Sequence, residues 1–487
     1  MAIKLYNTLT NKKERFNQIV DNTVRMYNCG PTVYSYAHVG NFRYFLFVDL
    51  LKRFFELEGL KVIQVMNITD VGHLTNDSDD GEDKIQKQAE KEKIDPLQIS
   101  KKYTKAFFND SALLKIEPAD FYPKATDHIN EMIEIIKVLI EKGFAYENNG
   151  NVYFDISKFS EYGKLSGMKL DELESSTRAI ADPNKKHKND FALWFSNSKY
   201  KNHIMKWDSP WGEGYPGWHI ECSAMSMKYL SPAFEGGKFH PEKFQTIDIH
   251  TGGEDNKFPH HDSEIAQTEG ATSKKFSNFW LHVKHLIVNG EKMSKSLGNV
   301  YTLSDLTTKG FTPSAIRLEF LSTHYRQTLN FTFEGITAAQ ANIDRIQEVV
   351  DKLLDITKEG DSEYPEFCEE YRDKFRDALS DDLNVSQAFG ITFQFITELN
   401  KLISTDKLNA LDAGLFLNYF MDFNKIFDVI RFEKEVIPDS VLNLADQRLE
   451  AKKNKKYVEA DVLRDKIKEL GYLITDTKGG NYKLKKL

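Results

Sequence analysis

Between residues 23 and 69 the spacing of apolar side chains changes twice, and no other feature restricts the fold of this chain as strongly. TVRMYN (23–28) alternates as a short strand. RYFLFVDLLKRFFELEG (43–59) has helical periodicity and stops at Gly59, a natural C-cap, and KVIQVMNIT (61–69) is β-branched and extended. Strand, helix and strand joined this closely make a βαβ unit, which requires a parallel sheet and a right-handed crossover. Ligands of such sheets bind at the carboxyl ends of the strands. That rule points to CGPTVYSYAHVGN, the segment after the first strand. It contains neither of the common glycine-rich phosphate loops, G-x-x-x-x-G-K-[ST] or G-x-G-x-x-G.

From about 118 to 205 the pattern changes. HINEMIEIIKVLIEKGFAY reads as an amphipathic helix, GNVYFDISKF as a strand and SSTRAIADPNKKHKND as loop, together an insertion into the sheet domain. The sheet returns with QTIDIHTGG (245–253), which runs into a Gly-Gly loop and a helix beginning near Pro259. FWLHVKHLIVNG (279–290) reads as one further strand, and beyond about 313 the pattern is almost wholly helical. A length of 487 residues suggests two to four domains. No apolar run reaches the length of a membrane span, and MAIKLYNTLTNKKERF has no apolar signal core, so we expect neither membrane insertion nor export. Three cysteines do not make a disulfide framework, and a reducing cytoplasm fits them. A net charge of -8 argues against indiscriminate coating of nucleic acid. Residues 440–487 nevertheless carry 12 Lys and Arg against 7 Asp and Glu, which suits either a polyanionic partner or a solvated helix face.

Two groups of residues carry chemistry. Cys29 ends the first strand, Cys222 lies in PGWHIECSAM, and PHHDSEIAQ sets His260 and Glu264 at i and i+4 on one helical face. Two thiols, an imidazole and a carboxylate make a four-ligand zinc set, with His261 as the rival to His260 or as a residue behind the ligands. The spacing matches no local zinc finger, and scattered Cys and His are also ordinary core residues. Cys368 falls in a helical stretch and reads as one of these. The second group is His38 in YAHVGN, at the start of the first long helix, with Lys292 and Lys295 in NGEKMSKSLGN. A helix N-terminus and an imidazole both favour phosphate. Two lysines three apart can converge on one anion, and Gly290 and Gly298 allow their loop to swing.

HVGN with KMSKS resembles the HIGH and KMSKS signature pair of class I aminoacyl-tRNA synthetases. NTLTNKKERF, YNCGPTVYSYAHVGN, NITD, DFALW, SPWGEGYPGWHIECSAM, GGEDNKFPHHDSEIAQ, VNGEKMSKSLGN, STHYRQTLNFT, DDLN and ADVLRDKIKELGYLITDT then follow one family in order, that of cysteinyl-tRNA synthetase. The resemblance implies an α/β fold: a class I, Rossmann-like parallel-sheet catalytic domain with an inserted connective domain, a C-terminal α-helical bundle and a small anticodon-binding domain. The expected divisions are 1–117 and 206–275 for the two catalytic halves, 118–205 for the insertion, 276–325 for the KMSKS region, 326–435 for the bundle and 436–487 for the anticodon domain. It further implies one zinc ion per chain on Cys29, Cys222, His260 and Glu264, binding the substrate thiolate, and a cysteine pocket of Cys29, Thr69, Trp218 and His260. ATP, carried with Mg2+, would meet His38, Gly40, Asn41, Lys292 and Lys295, with His38, Asn41, Lys292 and Lys295 catalytic. The partners implied are L-cysteine, ATP and tRNA(Cys), and we expect a cytoplasmic monomer.

The zinc expectation has a physical logic. A shaped pocket separates near-isosteres such as cysteine and serine only about 10- to 200-fold, whereas zinc prefers a deprotonated thiol to a neutral hydroxyl by far more. Four departures from the family pattern stand out. Asn41 replaces the second His of the signature, Tyr215 replaces an Arg, VGHLTNDSDDGED lengthens the link to Lys84, and GGNY replaces Gly-Thr-x-Trp, giving Tyr482 the stacking role. Two other readings compete: a paralogue that joins cysteine to an amino-sugar by the same adenylate chemistry, and a zinc-dependent RNA-binding module without catalysis. The long helical and basic tail argues against the first, and His38, Lys292 and Lys295 argue against the second.

Overall fold

The computed structural model describes residues 2–72, 84–169, 182–197, 205–433, 437–476 and 481–486. The chain divides into two compact units, Met1–Ile430 and Arg431–Leu487.

The βαβ expectation is met residue for residue at its first strand. Thr23–Asn28, the helix Val39–Leu57 and the strand Lys61–Met66 follow in order, with Gly59 in the left-handed conformation just past the helix. Four parallel strands form the central sheet in the order Ser277–Val283, Ile247–Gly253, Thr23–Asn28, Lys61–Met66. The chain leaves the sheet in one direction from Thr23–Asn28 and returns on its other side with Ile247–Gly253. The crevice beyond the carboxyl ends of these two neighbours is therefore the switch point where such sheets bind ligands. Asn28 locks the three strands around it: its amide donates to Thr251 Oγ1 (2.7 Å) and its carbonyl accepts from Gln64 Nε2 (3.0 Å).

The stretch expected as an insertion holds the helix Ile129–Glu141 and the strands Ala145–Asn148, Asn151–Phe154 and Phe191–Phe195 of an antiparallel sheet that Tyr215–Pro216, beyond the expected boundary at 205, completes. Its last strand leads directly into the helix Trp218–Leu230. Ile135 and Leu139 of this stretch share one apolar core with Tyr27, Ile220 and Trp280, so it is packed onto the sheet layer. Of the loop expected over 175–190, residues 175–181 lie outside the described set, as do residues 73–83 of the lengthened link.

One expectation is corrected. The run 279–290 is two strands in two sheets: Ser277–Val283 closes the central sheet, and Leu286–Val288 pairs with Leu329–Phe331 and with Glu291–Lys292. The break falls where Lys284 N donates to Tyr325 O (2.8 Å), which takes the backbone out of the first ladder. The Lys284–His285 pair thereby reaches the crevice.

Beyond Pro313 the chain is helical as expected, apart from the short strand Leu329–Phe331. Pro313–Ser322 leads to Phe333–Leu354, Pro365–Ser380, Val385–Ser404 and Ala410–Phe427. Phe375, Phe395, Tyr419 and Phe420 fill the bundle. A buried ion pair ties the bundle to the first long helix. Arg317 bonds Asp49 and also donates to Phe427 O and Leu114 O, satisfying a guanidinium that is 0% exposed.

The second unit has the helices Asp439–Lys453 and Tyr457–Glu469 and the hairpin Tyr472–Asp476 with Tyr482–Lys486. Val441, Ala445, Ile467 and Ile474 form its core, and Arg448 pairs with Asp476 at 2.9 Å. Among the described residues, no helix is long and apolar enough to cross a membrane.

Candidate active site

The floor of the crevice is a buried cluster of thiols, imidazoles and a carboxylate. Cys29 is delivered by the end of its strand, where its N–H donates to Thr251 O (3.3 Å). Cys222 comes from the helix Trp218–Leu230, and His260, His261 and Glu264 come from the first turns of the helix His260–Thr272. The donor atoms of Cys29, His260, His261 and Glu264 all lie within 4.8 Å of one another. Cys222 is in hydrogen-bond contact with Cys29 and with His260. Three of the four residues expected at a metal, Cys29, His260 and Glu264, thus share one group of donor atoms with the rival His261, and Cys222 stands beside that group, next to Cys29 and His260.

The electrostatics suit a cation. Burial opposes charge on Glu264, yet His250 and His260 hold its carboxyl down at about 2. The hydrogen bond from Cys29 lowers the Cys222 thiol to about 6, and Cys29 is raised in return. Burial also opposes charge on His260, but Glu264 and Cys222 together lift it to about 10. Burial and the neighbouring imidazoles push His261 well below its ordinary value. Glu264 Oε1 is buried and stands 3.0 Å from His260 Nε2 without a well-aligned hydrogen bond. A desolvated carboxylate oxygen left in this state, among thiols and an imidazole, is the expected condition of a ligand set that closes on a metal ion.

A second layer of histidines orients the first. His260 Nδ1 meets His219 Nδ1 at 2.8 Å, so Nε2 is the nitrogen that faces Glu264. His250 Nε2 lies 2.9 Å from Glu264 Oε2. His261 Nε2 contacts Cys29 Sγ at 3.2 Å, its Nδ1 contacts His282 Nε2 at 2.8 Å, and His282 Nδ1 reaches Thr8 Oγ1 at 2.9 Å. Sequence reading did not single out His219, His250 or His282. The available signals were His219 three residues before Cys222, and single histidines inside the strands IDIHTGG and SNFWLHV.

The other wall of the crevice is the start of the helix Val39–Leu57. His38 is its N-cap and forms a reciprocal box with Asn41: Asn41 N donates to His38 Nδ1 (3.3 Å) and His38 N donates to Asn41 Oδ1 (3.0 Å). Asn41 thus fills the capping role at its position, with its amide oxygen already engaged. Val39 N donates to Tyr301 O (2.8 Å), which pins this helix start to the segment that follows KMSKS. A Cβ at Gly40 would come within 2.8 Å of the Met293 methyl and 3.1 Å of His38 Nδ1, so glycine here lets the lysine loop approach without displacing either side chain. Within that loop Ser294 N donates to Asn299 Oδ1 (2.8 Å), and Lys292 is exposed. The side chain of Lys295 lies outside the described set.

A cleft of about 380 Å³ joins the two walls, lined by Cys29 and Trp218 at one end and by His38, Gly40, Asn41 and Met293 at the other. Trp218 stacks on His260 with ring centroids 4.3 Å apart, a rigid apolar cover over the cluster. Thr69 is buried behind the Cys29–Thr32 segment, and its hydroxyl accepts from Asn67 Nδ2 at 2.9 Å. Tyr215 is buried against Phe195. Tyr482 belongs to the second unit, where its hydroxyl donates to Asp446.

Residues 15–342 match the family described as tRNA synthetases class I (C) catalytic domain, and residues 374–425 match the DALR domain. Among solved structures, the fold is similar to that of Mycobacterium tuberculosis methionyl-tRNA synthetase in complex with methionyl-adenylate. That likeness has a TM-score of 0.58 and 13% identity and covers 84% of this chain and 90% of that one. It is also similar to the ternary LeuRS–tRNA–LeuAMS complex of Agrobacterium radiobacter K84, at a TM-score of 0.61 and 11% identity, covering 85% of each chain. Parallel sheet, switch-point crevice and family match together define a class I tRNA synthetase. A cysteine–tRNA ligase of Brachyspira hyodysenteriae is 44% identical over 489 residues, spanning 98% of both chains. One of Protochlamydia amoebophila is 41% identical over 100% of this chain and 98% of its own. One of Thermococcus onnurineus is 40% identical over 99% and 98%. The chain belongs to the cysteine–tRNA ligase family.

Proposed function

We propose that this protein activates L-cysteine with Mg-ATP and transfers it to the 3′-terminal adenosine of tRNA(Cys). One observation carries the reading: a single cleft runs from the buried thiol–imidazole–carboxylate cluster to the helix start that carries HVGN and the loop that carries KMSKS. Cysteine fits the first end and a nucleotide triphosphate the second.

Cys29, Cys222, His260 and Glu264 would hold one zinc ion, with His261 supporting Cys29 from behind. Bound there, zinc supplies a site that prefers a thiolate to a hydroxyl, which separates cysteine from serine without editing. Trp218 covers the side chain, and Thr69 braces the Cys29–Thr32 segment.

Activation forms a bond between the cysteine carboxylate and the α-phosphorus of ATP, and pyrophosphate leaves. Negative charge grows on the phosphate oxygens in that step. His38, Lys292 and Lys295 supply donors there, and Gly40 lets the backbone approach the nucleotide. Asn41 fixes the start of the helix, whose dipole favours the anion. Each such donor is worth roughly 3 kcal/mol of barrier. In the second step the 2′-hydroxyl of the terminal adenosine attacks the cysteinyl carbonyl and AMP leaves. No covalent enzyme intermediate is required, only positioning and electrostatics.

The bundle from about 326 to 435 and the small basic unit after it would carry the inner face and the anticodon of the tRNA. Three cysteines without a disulfide suit a reducing cytoplasm. The test is direct: purified protein is assayed for cysteine-dependent ATP–pyrophosphate exchange and for charging of tRNA(Cys). Both activities are expected. Exchange without charging would favour an amino-sugar acceptor, and absence of both would leave a binding protein.

A further inference from the structure

Transfer demands something that activation does not: the single-stranded end of a tRNA must enter the cleft and hold its last ribose against the cysteinyl carbonyl. Single-stranded nucleic acid is held by aromatic rings on which bases stack, flanked by cations that track the phosphates. One wall of the cleft has this composition and is not used by the two steps above.

That wall is built by Tyr34 and Tyr36, between the first strand and the first long helix, and by Tyr103 of the helix Pro96–Leu113. Tyr36 is 51% exposed, an unusual state for a large aromatic side chain at the mouth of a cleft. It stands edge-on against Tyr103, with centroids 5.0 Å apart and planes at 88°, and Tyr103 is itself buried and fixed by its hydroxyl on Glu92. The perpendicular contact backs Tyr36 on Tyr103, Lys102 lies over the Tyr36 ring, and the rest of this half-exposed ring is open to another planar group. Two ammonium groups flank the rings: Lys84 Nζ lies 5.8 Å from the centre of Tyr34, and Lys102 Nζ lies 6.0 Å from that of Tyr36. Lys102 is oriented by Glu92 at 2.6 Å. The wall continues into the same cleft as His38 and Cys29, so a strand lying on it would end at the reacting groups.

We infer that Tyr36, backed by Tyr103 and flanked by Lys84 and Lys102, is the stacking platform for the single-stranded 3′ end of the tRNA. The inference rests on the reading of the protein as a tRNA-charging enzyme. Tyr36 itself is half exposed and stands outside the buried core, so truncating it leaves the fold in place, and Tyr36→Phe keeps the ring.

The experiment compares wild type, Tyr36→Ala and Tyr36→Phe in single-turnover transfer from preformed cysteinyl-adenylate, in ATP–pyrophosphate exchange, and in binding to two tRNA(Cys) transcripts, one complete and one lacking its last two nucleotides. Losing one base–aromatic stack costs about tenfold or more. Tyr36→Ala is expected to lose transfer at least tenfold beyond any loss in exchange, and Tyr36→Phe to stay within about twofold. The affinity gap between wild type and Tyr36→Ala should close on the shortened transcript, because the contact is already absent. Equal transfer by Tyr36→Ala would overturn the inference, as would a gap that persists on the shortened transcript. A rise in the KM for ATP that accounts for the whole loss would assign the ring to ATP and overturn it too. Failure of the wild type to charge tRNA at all would instead remove the reading beneath it.

Discussion

His219 Nδ1 and His260 Nδ1 meet at 2.8 Å across two helices that enter the crevice from different parts of the chain. The contact decides which nitrogen of His260 is left to face Glu264 and Cys222, and it fixes the ring plane under Trp218. His219→Phe keeps an aromatic ring and removes both nitrogens. Metal retention is expected to fall roughly 10- to 100-fold, as for other orienting partners of a ligand imidazole. Zinc content after graded chelator competition measures it, and unchanged retention would mean that His219 only packs.

Lys295 is a proposed charge-bearing residue of the KMSKS loop. Lys295→Ala should slow cysteinyl-adenylate formation about 100-fold through loss of one donor in the transition state, with the cysteine KM little changed. Pre-steady-state exchange kinetics read the two separately. A variant with normal exchange would remove Lys295 from the mechanism.

The parts of the chain recoverable from sequence are those where the physical signal is local. Thr23–Asn28 and the helix after it are legible because the apolar period switches from two to 3.6 within one short stretch. The two-strand division at Lys284–His285 is not legible, since FWLHVKHLIV carries no Gly, Pro or other turn residue at that point and the bond from Lys284 N to the distant Tyr325 carbonyl lies outside the segment. The three-residue strand Leu329–Phe331 is too short to show a period. At the site, His260 and Glu264 declare themselves by helical spacing, but His250 and His282 reach it from two strands with no fixed spacing to any ligand. Their approach to Glu264 and His261 is a property of the sheet and the helix packed on it, not of either segment.

Asp110, in the last turn of the helix Pro96–Leu113, gives a pH-dependent prediction. Burial pushes its carboxyl from 3.8 up to about 6. A folded value above the unfolded one means that the native state holds the proton more tightly. The resulting penalty is absent below about pH 4, grows through pH 6 and is complete above it. Discounted for partial exposure, it is about 1 kcal/mol at neutral pH. Asp110→Asn should therefore stabilise the protein by that amount at pH 7.5 and progressively less toward pH 4.5. Urea titrations at the two pH values check it, and a gain that does not depend on pH would contradict it.

Removal of residues 431–487 takes away a separate compact unit rich in lysine. Cysteine activation should persist, while the KM for tRNA(Cys) rises several-fold and its salt dependence flattens, since fewer phosphates are neutralised. Loss of exchange in the shortened protein would show instead that the unit supports the catalytic fold.

The central claim is that a metal ion held by Cys29, Cys222, His260 and Glu264 chooses sulfur over oxygen. Its most direct test is zinc content measured beside the ratio of cysteine- to serine-dependent ATP–pyrophosphate exchange, in wild type and in Cys222→Ser. We predict one zinc per wild-type chain with serine activation barely detectable, and in Cys222→Ser loss of the ion together with loss of cysteine activation. A protein that is free of metal and still discriminates cysteine from serine would contradict the account.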